Sequence, residues 1–252
     1  EEVPVPQSTV PGEKTSPTQP VPTKPPPFSA QGLTEENIID FTPELKQEVL
    51  EIIQNYDYGP IFTPGSERGT LTVPGDGGGA NWMGATLDPE TSLIYVATQD
   101  YCFIAKLAKP DPARSDHAYV LKYGRPRGPG EPIIGFGYGL PLFKPPYARV
   151  TAIDLKTGTH AWMRPMGSGI ENHSRLQGLD IPRTGGGGWA YLLTTKTLLI
   201  AGHGLKLLAL DKATGELIAE FELKDASGTP LGRVTGLPMT YLHEGKQFIA
   251  VA

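Results

Sequence analysis

Glycine runs and single histidines are the residues of this chain that invite a chemical reading. Gly75-Asp76-Gly77-Gly78-Gly79-Ala80 fulfils the letters of G-x-G-x-x-[GA], the pattern that holds a dinucleotide pyrophosphate on a helix N-terminus. The stretch behind it, Asn81-Trp82-Met83-Gly84-Ala85-Thr86-Leu87-Asp88-Pro89, reads as a strand and a turn, with Trp82–Leu87 as the strand. No helix N-terminus is therefore on offer, and the dinucleotide reading fails. What survives is a glycine loop whose backbone can approach a flat ligand closely. The chain has no G-x-S-x-G elbow, no Walker lysine and no His-Glu-x-x-His pair. His117, His160, His173, His203 and His243 stand singly and read as ordinary loop or strand residues. The lone Cys102 can form no internal disulfide, and no cysteine pair exists to hold zinc or an iron–sulfur cluster. Gly185–Gly188, before Trp189, reads as a flexible loop.

Composition narrows the partners. Twenty-two Lys and Arg against 27 Asp and Glu give a net charge of -5, with no basic run able to neutralise a row of phosphates, so nucleic acid is excluded as a partner. No apolar run approaches the ~20 residues needed to cross a bilayer. A hydrophobic share of 38% with 19% charged residues leaves enough Val, Ile and Leu for one sizeable core. The chain opens on Glu1 and its first methionine is Met83, while Gln247–Ala252 reads as a buried strand without a closing turn; both point to an internal fragment.

The elements that must position any site fall into two stretches, 1–60 and 61–252. Residues 1–27 hold nine of the 26 prolines, which fix φ and remove donors, so this segment is extended and cannot enter the interior of a sheet. It is either a linker or an arm laid across a larger body. Behind it, Thr42 offers an N-cap and Pro43 a first helical residue; Leu45, Val49, Leu50, Ile52 and Ile53 then share one face until Asn55 and Gly59 end the helix. From residue 68 onward short β runs are separated by Gly, Pro, Asn and Asp. The strands expected are Thr70–Val73, Trp82–Leu87, Leu93–Thr98, Val150–Asp154, Ala161–Arg164, Thr197–Ala201, Lys206–Asp211, Leu217–Leu223, Pro238–Leu242 and Gln247–Ala252. Lys106–Pro146 reads as a long insertion between them.

A repeat chooses among sandwich, barrel and propeller. Ala152-Ile153-Asp154-Leu155-Lys156-Thr157-Gly158 recurs as Ala209-Leu210-Asp211-Lys212-Ala213-Thr214-Gly215, each copy a strand, a corner and a return strand. The Asp side chain can accept from backbone N–H groups of the corner, and Gly supplies positive φ. Leu87-Asp88-Pro89-Glu90-Thr91-Ser92 is a relative of that corner. Antiparallel units repeating after several tens of residues are the pattern of propeller blades.

These residues carry a resemblance. Thr15-Ser16-Pro17-Thr18-Gln19-Pro20, Gly59-Pro60-Ile61-Phe62-Thr63-Pro64, Pro74-Gly75 leading to Gly79-Ala80-Asn81-Trp82, the Ala152–Gly158 corner, Pro238-Met239-Thr240-Tyr241 and Gly245-Lys246-Gln247-Phe248 occur in an order that resembles the C-terminal portion of the PQQ-dependent quinoprotein dehydrogenases, the glucose/quinate/shikimate dehydrogenase group above all. The resemblance extends over nearly the whole chain. It implies an all-β fold: part of an eight-bladed β-propeller, preceded by the extended arm and helix. It also implies pyrroloquinoline quinone (PQQ) in the central channel, with Ca²⁺ or Mg²⁺ on its quinone face. The implied reaction oxidises a sugar or alcohol hydroxyl, glucose or a related polyol or cyclic acid, and passes electrons to ubiquinone or a cytochrome. The implied location is the periplasm, with anchoring to the inner membrane by an N-terminal region outside this chain.

Residue roles follow from the same resemblance. Ala152, Asp154, Thr157, Gly158 and Trp162 match the family's tryptophan-docking corner in full, whereas Ala219 stands where the second copy would carry Trp. Asn81 and Trp82 are the expected cofactor contacts, the alternative for Trp82 being a core residue. The catalytic Asp and the metal ligands of the family lie upstream of the proline-rich arm, so this chain alone is expected to be inactive and no metal ligand is assigned in it. A propeller of the same superfamily that lacks cofactor and serves as a scaffold for protein assembly at the outer membrane is the alternative; the arm, the helix and the long insertion favour the enzyme.

Overall fold

A computed structural model describes residues 1–124 and 139–252. Among the described residues, sixteen strands, one 11-residue α-helix and a single 3-10 turn at Ser174–Leu176 follow the alternation of the sequence. Strands β1 (Glu2–Pro4) and β2 (Thr18–Pro20) pair antiparallel with each other and, among the described residues, with no other strand. Proline confines them to this small ladder, since a ring nitrogen cannot donate to a wider sheet. Helix α1 (Pro43–Ile53) starts where expected: the Thr42 hydroxyl accepts from Leu45 N at 3.2 Å, and Leu45, Val49, Ile52 and Ile53 are its buried face.

Four strands then make a sheet outside the repeat pattern. Strands β3 (Asp57–Tyr58) and β4 (Thr70–Thr72) run parallel. The remaining two members, β7 (Phe103–Ala108) and β8 (Val120–Gly124), lie later in the chain and complete the order β3-β4-β7-β8. The expectation that Lys106–Pro146 is one insertion is corrected: Lys106 sits inside β7 opposite Lys122 of β8. Residues 140–144 turn back beneath the helical region, with Ile39 N donating to Leu142 O (2.9 Å) and Lys144 bridging to Asp40 (2.7 Å). Residues 125–138 of that segment lie outside the described residues. This sheet and α1 share one core, built from Leu33, Ile38, Val49, Ile53, Leu71 and Leu142 with Cys102 among them.

The repeat itself forms two blades. The first is β5 (Ala85–Asp88), β6 (Leu93–Gln99), β9 (Ala148–Asp154) and β10 (Thr159–Pro165), antiparallel in that order. The second is β11 (Ala190–Thr194), β12 (Leu198–His203), β13 (Lys206–Asp211) and β14 (Leu217–Glu222), again antiparallel and in chain order. Strand β11 packs against β5 and β6, and a common core of Tyr95, Val150, Trp162, Leu192, Leu199 and Leu210 fills the space between the blades. Strands β15 (Met239–His243) and β16 (Lys246–Ala250) form a further antiparallel pair. The all-β, partial-propeller expectation holds. Its strand at Trp82–Leu87 is shortened, because β5 begins only at Ala85.

The two Asp–Gly corners occupy the same place, between the third and fourth strands of their blades. Asp154 accepts from Lys156 N (2.8 Å), and Asp211 from Ala213 N and Thr214 N (2.8 Å each). Register makes the repeat literal: Trp162 pairs with Ala152 and Ala219 with Ala209, each beside a one-residue bulge. Asp88 is not a third copy, since it closes the corner between the first and second strands of the first blade.

Across the blade interface the corner becomes a dock. Trp162 donates from Nε1 to Lys212 O (2.9 Å) and lies over Gly215, where φ is +71° and an added Cβ would come within 2.6 Å of the indole. Only glycine meets both demands. Tyr95 supports the indole at 5.7 Å between centroids and donates to the same Lys212 carbonyl (3.1 Å). Lys212 Nζ reaches back to Asp88 at 2.6 Å, with both side chains largely buried. That hydrogen bond from Lys212, with further ones from Thr91 and Glu90, holds the Asp88 carboxyl below its ordinary range.

Candidate functional site

Two glycine loops, each leading into the first strand of a blade, meet around one tyrosine. In the first loop Tyr101, just past β6, receives a hydrogen bond from Gly77 N (2.8 Å) at a hydroxyl that itself donates to Asp76. Its backbone N–H donates to Pro74 O at 3.2 Å, and Gln99 N donates to Gly79 O at 2.8 Å. A Cβ at Gly75 would stand 2.6 Å from the Tyr101 ring, so the loop wraps the ring only because glycine is there.

The second loop, Gly185–Gly188, expected as a flexible loop, is instead closely packed. A Cβ at Gly185 would collide with Ala148 O, Gly186 N donates to Met166 O (2.8 Å), and His203 packs its ring on Gly167 and Gly187. Glu171 fastens the neighbouring turn by accepting from Thr184 Oγ1 (2.9 Å) and Gly169 N (2.7 Å). Burial works to raise the Glu171 carboxyl, but these bonds outweigh it and hold it below the ordinary value. His203 is buried at the end of β12, with Nε2 3.2 Å from Gly188 O. Burial first, then the charges of Arg233 and Arg183, depress its pKa, so the ring is neutral and Nε2 is the donor.

Where the loops meet, Trp189 stands beside the first loop: a Cβ at Gly77 would lie 3.5 Å from its indole and 2.9 Å from the Tyr101 hydroxyl. A cavity of about 380 Å³ opens here, lined by Gln99, Tyr101, Trp189, Tyr191, Arg233 and Thr235 among others. A second, of about 490 Å³, shares Tyr101, Gly187 and Arg233 with it and extends along Asp100, Pro141, Ser168 and His173. Asp100 is a buried carboxylate that accepts from Ser29 Oγ (2.5 Å) and Ala30 N (2.9 Å) and pairs with Arg149. Burial lowers the Arg149 pKa to about 10, which leaves it charged at neutral pH. The pair ties the end of the proline-rich arm onto the first blade. Phe28 O, accepting from Thr98 Oγ1 (3.3 Å), and Pro26 O, 2.9 Å from His160 Nε2, extend the seam.

Asn81 and Trp82 lie at the base of the first loop. Asn81 Nδ2 donates to Gly77 O at 2.7 Å, which shapes the loop against Trp189. Trp82 is 93% exposed and is not a core residue. Neither side chain lines the two cavities. The residues that do include Gln99, Tyr101, Trp189 and Arg233; of these only Trp189 carries a sequence signal, a second Gly-rich run ahead of a strand, parallel to Gly75–Ala80. Among the described residues no group of three or more His, Cys, Asp or Glu side chains is arranged to hold a metal ion. No helix among them is long and apolar enough to cross a membrane.

Comparison with known proteins gives this geometry its context. The family described as PQQ, glucose/ethanol/alcohol dehydrogenase, β-propeller domain, matches residues 1–249. A probable quinate dehydrogenase (quinone) of Xanthomonas campestris pv. juglandis is 27% identical over 275 residues, covering 100% of this chain and 33% of its own. Quinoprotein glucose dehydrogenase A of Acinetobacter calcoaceticus is 28% identical over 206 residues, 77% of this chain and 25% of its own. Quinoprotein glucose dehydrogenase of Escherichia coli (strain K12) is 26% identical over 277 residues, 100% of this chain and 32% of its own. The chain thus spans a third or less of the length of these relatives.

Proposed function

Because the chain belongs to the PQQ glucose/ethanol/alcohol dehydrogenase β-propeller family, we propose that it forms part of the propeller of a quinone-linked dehydrogenase. That enzyme oxidises the CH–OH group of a sugar, an alcohol or a cyclic acid such as quinate. The family match over residues 1–249 carries the reading. Fit to the cofactor is judged on the loops: the backbone at Gly77 packs directly against Tyr101 and the edge of Trp189, and the cavity beyond is walled by the rings of Tyr101, Trp189 and Tyr191. A planar, oxygen-rich ring system suits such a wall.

PQQ, when bound, supplies the two-electron acceptor that no side chain provides. The chain's own part is placement and exclusion of water. Trp189 and Tyr101 present apolar faces; Asp76 and Gly77 N fix the Tyr101 hydroxyl, and His203 with Arg233 fixes the Gly187–Gly188 carbonyls. Asn81 and Trp82 remain proposed cofactor contacts, Asn81 through its loop and Trp82 through a ring free to meet a ligand. Ca²⁺ or Mg²⁺ as the accompanying ion, ubiquinone or a cytochrome as the acceptor, and a periplasmic location with an inner-membrane anchor belong to the same proposal.

The full-length protein, stripped of cofactor and then supplied with PQQ and Ca²⁺, should reduce an artificial dye with glucose, quinate or glycerol as donor, and should lose this activity with a chelator. Absence of dye reduction with every donor, despite PQQ loading, would sink the reading.

A further inference from the structure

The glycine loop beside the cavities rests on the proline-rich arm at both of its ends. Ahead of it, Val73 O accepts from Gly32 N at 3.1 Å. At its far end Gly79 leaves no room, since a Cβ there would collide with Ser29 Oγ and Cβ and lie 3.2 Å from Asp100 Oδ1. Ser29 Oγ in turn donates to Asp100 Oδ1 (2.5 Å), Ala30 N donates to Oδ2 (2.9 Å), and Arg149 pairs with the same buried carboxylate. The neighbours of Asp100 close the circuit: Gln99 N donates to Gly79 O (2.8 Å) and Tyr101 N to Pro74 O (3.2 Å). Arm, carboxylate and loop thus form one clasp, with the Tyr101 ring and Trp189 against the loop at Gly77.

Farther along, the arm docks as a blade does. On the second blade's corner, Arg164 of β10 donates from Nε to Thr214 O at 3.1 Å and lays its stem over Gly215. On the first blade's corner the equivalent residues, Thr157 and Gly158, receive Lys24 of the arm: Nζ donates to Thr157 O at 3.4 Å, and the stem lies 3.3 Å from where a Gly158 Cβ would stand. Between Lys24 and Phe28 stand Pro25, Pro26 and Pro27, whose fixed φ makes this span a strut that loses little freedom on docking.

We propose that Ser29 and Asp100 are positioning residues: through them the arm, anchored at Lys24, holds the Gly75–Ala80 loop in place and so sets the cavity wall formed by Tyr101 and Trp189. The arm is then a working part of the site and not a linker. In its consequence for cofactor binding the inference rests on the quinoprotein reading above; in its consequence for the loop it stands alone.

The test compares three variants of the full-length protein: Ser29→Ala, Gly79→Ala, and Gly79→Ala combined with Ser29→Gly. Amide hydrogen exchange is read at Gly77, Gly78 and Gln99, whose N–H groups bond within the clasp, and in β12 and β13 as the reference. A hydroxyl donating to a carboxylate is a charge-assisted bond, and its loss corresponds to a change of about tenfold. Ser29→Ala should therefore speed exchange at the three amides about tenfold and leave β12 and β13 within about twofold. Gly79→Ala should exceed this, and adding Ser29→Gly, which vacates the space, should bring exchange back down to the level of Ser29→Ala. PQQ affinity, followed by quenching of tryptophan fluorescence, should fall about tenfold in Ser29→Ala while kcat at saturating PQQ stays within about twofold. The proposal is overturned by unchanged exchange at the loop, by equal speeding in every strand, or by effects that simply add in the double variant. A loosened loop with PQQ affinity intact overturns it as well. Should the wild-type protein bind no PQQ, the quinoprotein reading falls by itself and exchange decides alone: a local rise with recovery in the double variant upholds the clasp, and its absence ends it.

Discussion

Burial of His203 under a glycine loop and beside two arginines makes one residue a reporter of pH. Its folded pKa lies below the ordinary 6.5, with burial the largest cause. As pH falls through that value the unfolded chain takes up a proton that the folded chain refuses, so stability declines from there downward until the folded pKa is passed. Each unit of depression corresponds to about 1.4 kcal/mol. Urea unfolding followed from about pH 7.5 to about pH 5 should show the midpoint falling, and His203→Gln should flatten that fall even if it lowers the midpoint throughout. A variant with the same slope as wild type would assign the pH dependence to other groups. The corner carboxylates act at lower pH: hydrogen bonds hold Asp154 and Asp211 below their ordinary 3.8, so what they contribute is present above that value and is lost as pH drops beneath it.

Strands and corners divide the molecule into what sequence makes plain and what it hides. Trp162 docks on the next blade through its indole N–H and through contact with Gly215, whereas Ala219 at the equivalent register position docks on nothing described. Trp162→Ala should therefore cost about 3–5 kcal/mol, and Ala219→Ser less than about 0.5 kcal/mol, by denaturant unfolding. Comparable losses at both positions would contradict the dock. That asymmetry was visible in the repeat, because an Asp–Gly corner and a following Trp are local signals. So was helix α1, whose cap and apolar stripe agree. Strand β7 was hidden: Phe103–Ala108 is an apolar run next to a stretch too rich in Gly and Pro to read, and its partners β4 and β8 lie on either side of the first blade's opening strands. The cavity was hidden for a deeper reason. It joins Gln99 and Tyr101, Gly187 to Tyr191, Gly204, and Arg233 to Thr235, four segments brought together only by stacking blade on blade. No spacing along the chain records that.

At the scale of the molecule, one sheet face is satisfied and another is not. The first blade gives its apolar face to the second, as Tyr95, Trp162 and Leu210 show by their burial. The second blade's outer strand and the β15–β16 pair instead present Leu217, Ile218, Phe221, Met239, Leu242 and Phe248 to solvent. Two strands alone are marginal in water, and the stacked pair Tyr241–Phe248, 5.4 Å between centroids, offers little shelter. Apolar side chains exposed on open strand edges draw in another sheet. Expressed by itself, this 252-residue chain should self-associate, eluting above its 27.1 kDa mass in size-exclusion chromatography with light scattering. Phe221→Glu combined with Leu242→Lys should shift it toward the monomer, since both side chains are exposed and neither contributes to the core between the blades. A wild-type chain that stays monomeric at high concentration would mean that this face is stable uncovered, and the blade-on-blade logic that explains Trp162 would then stop at β14.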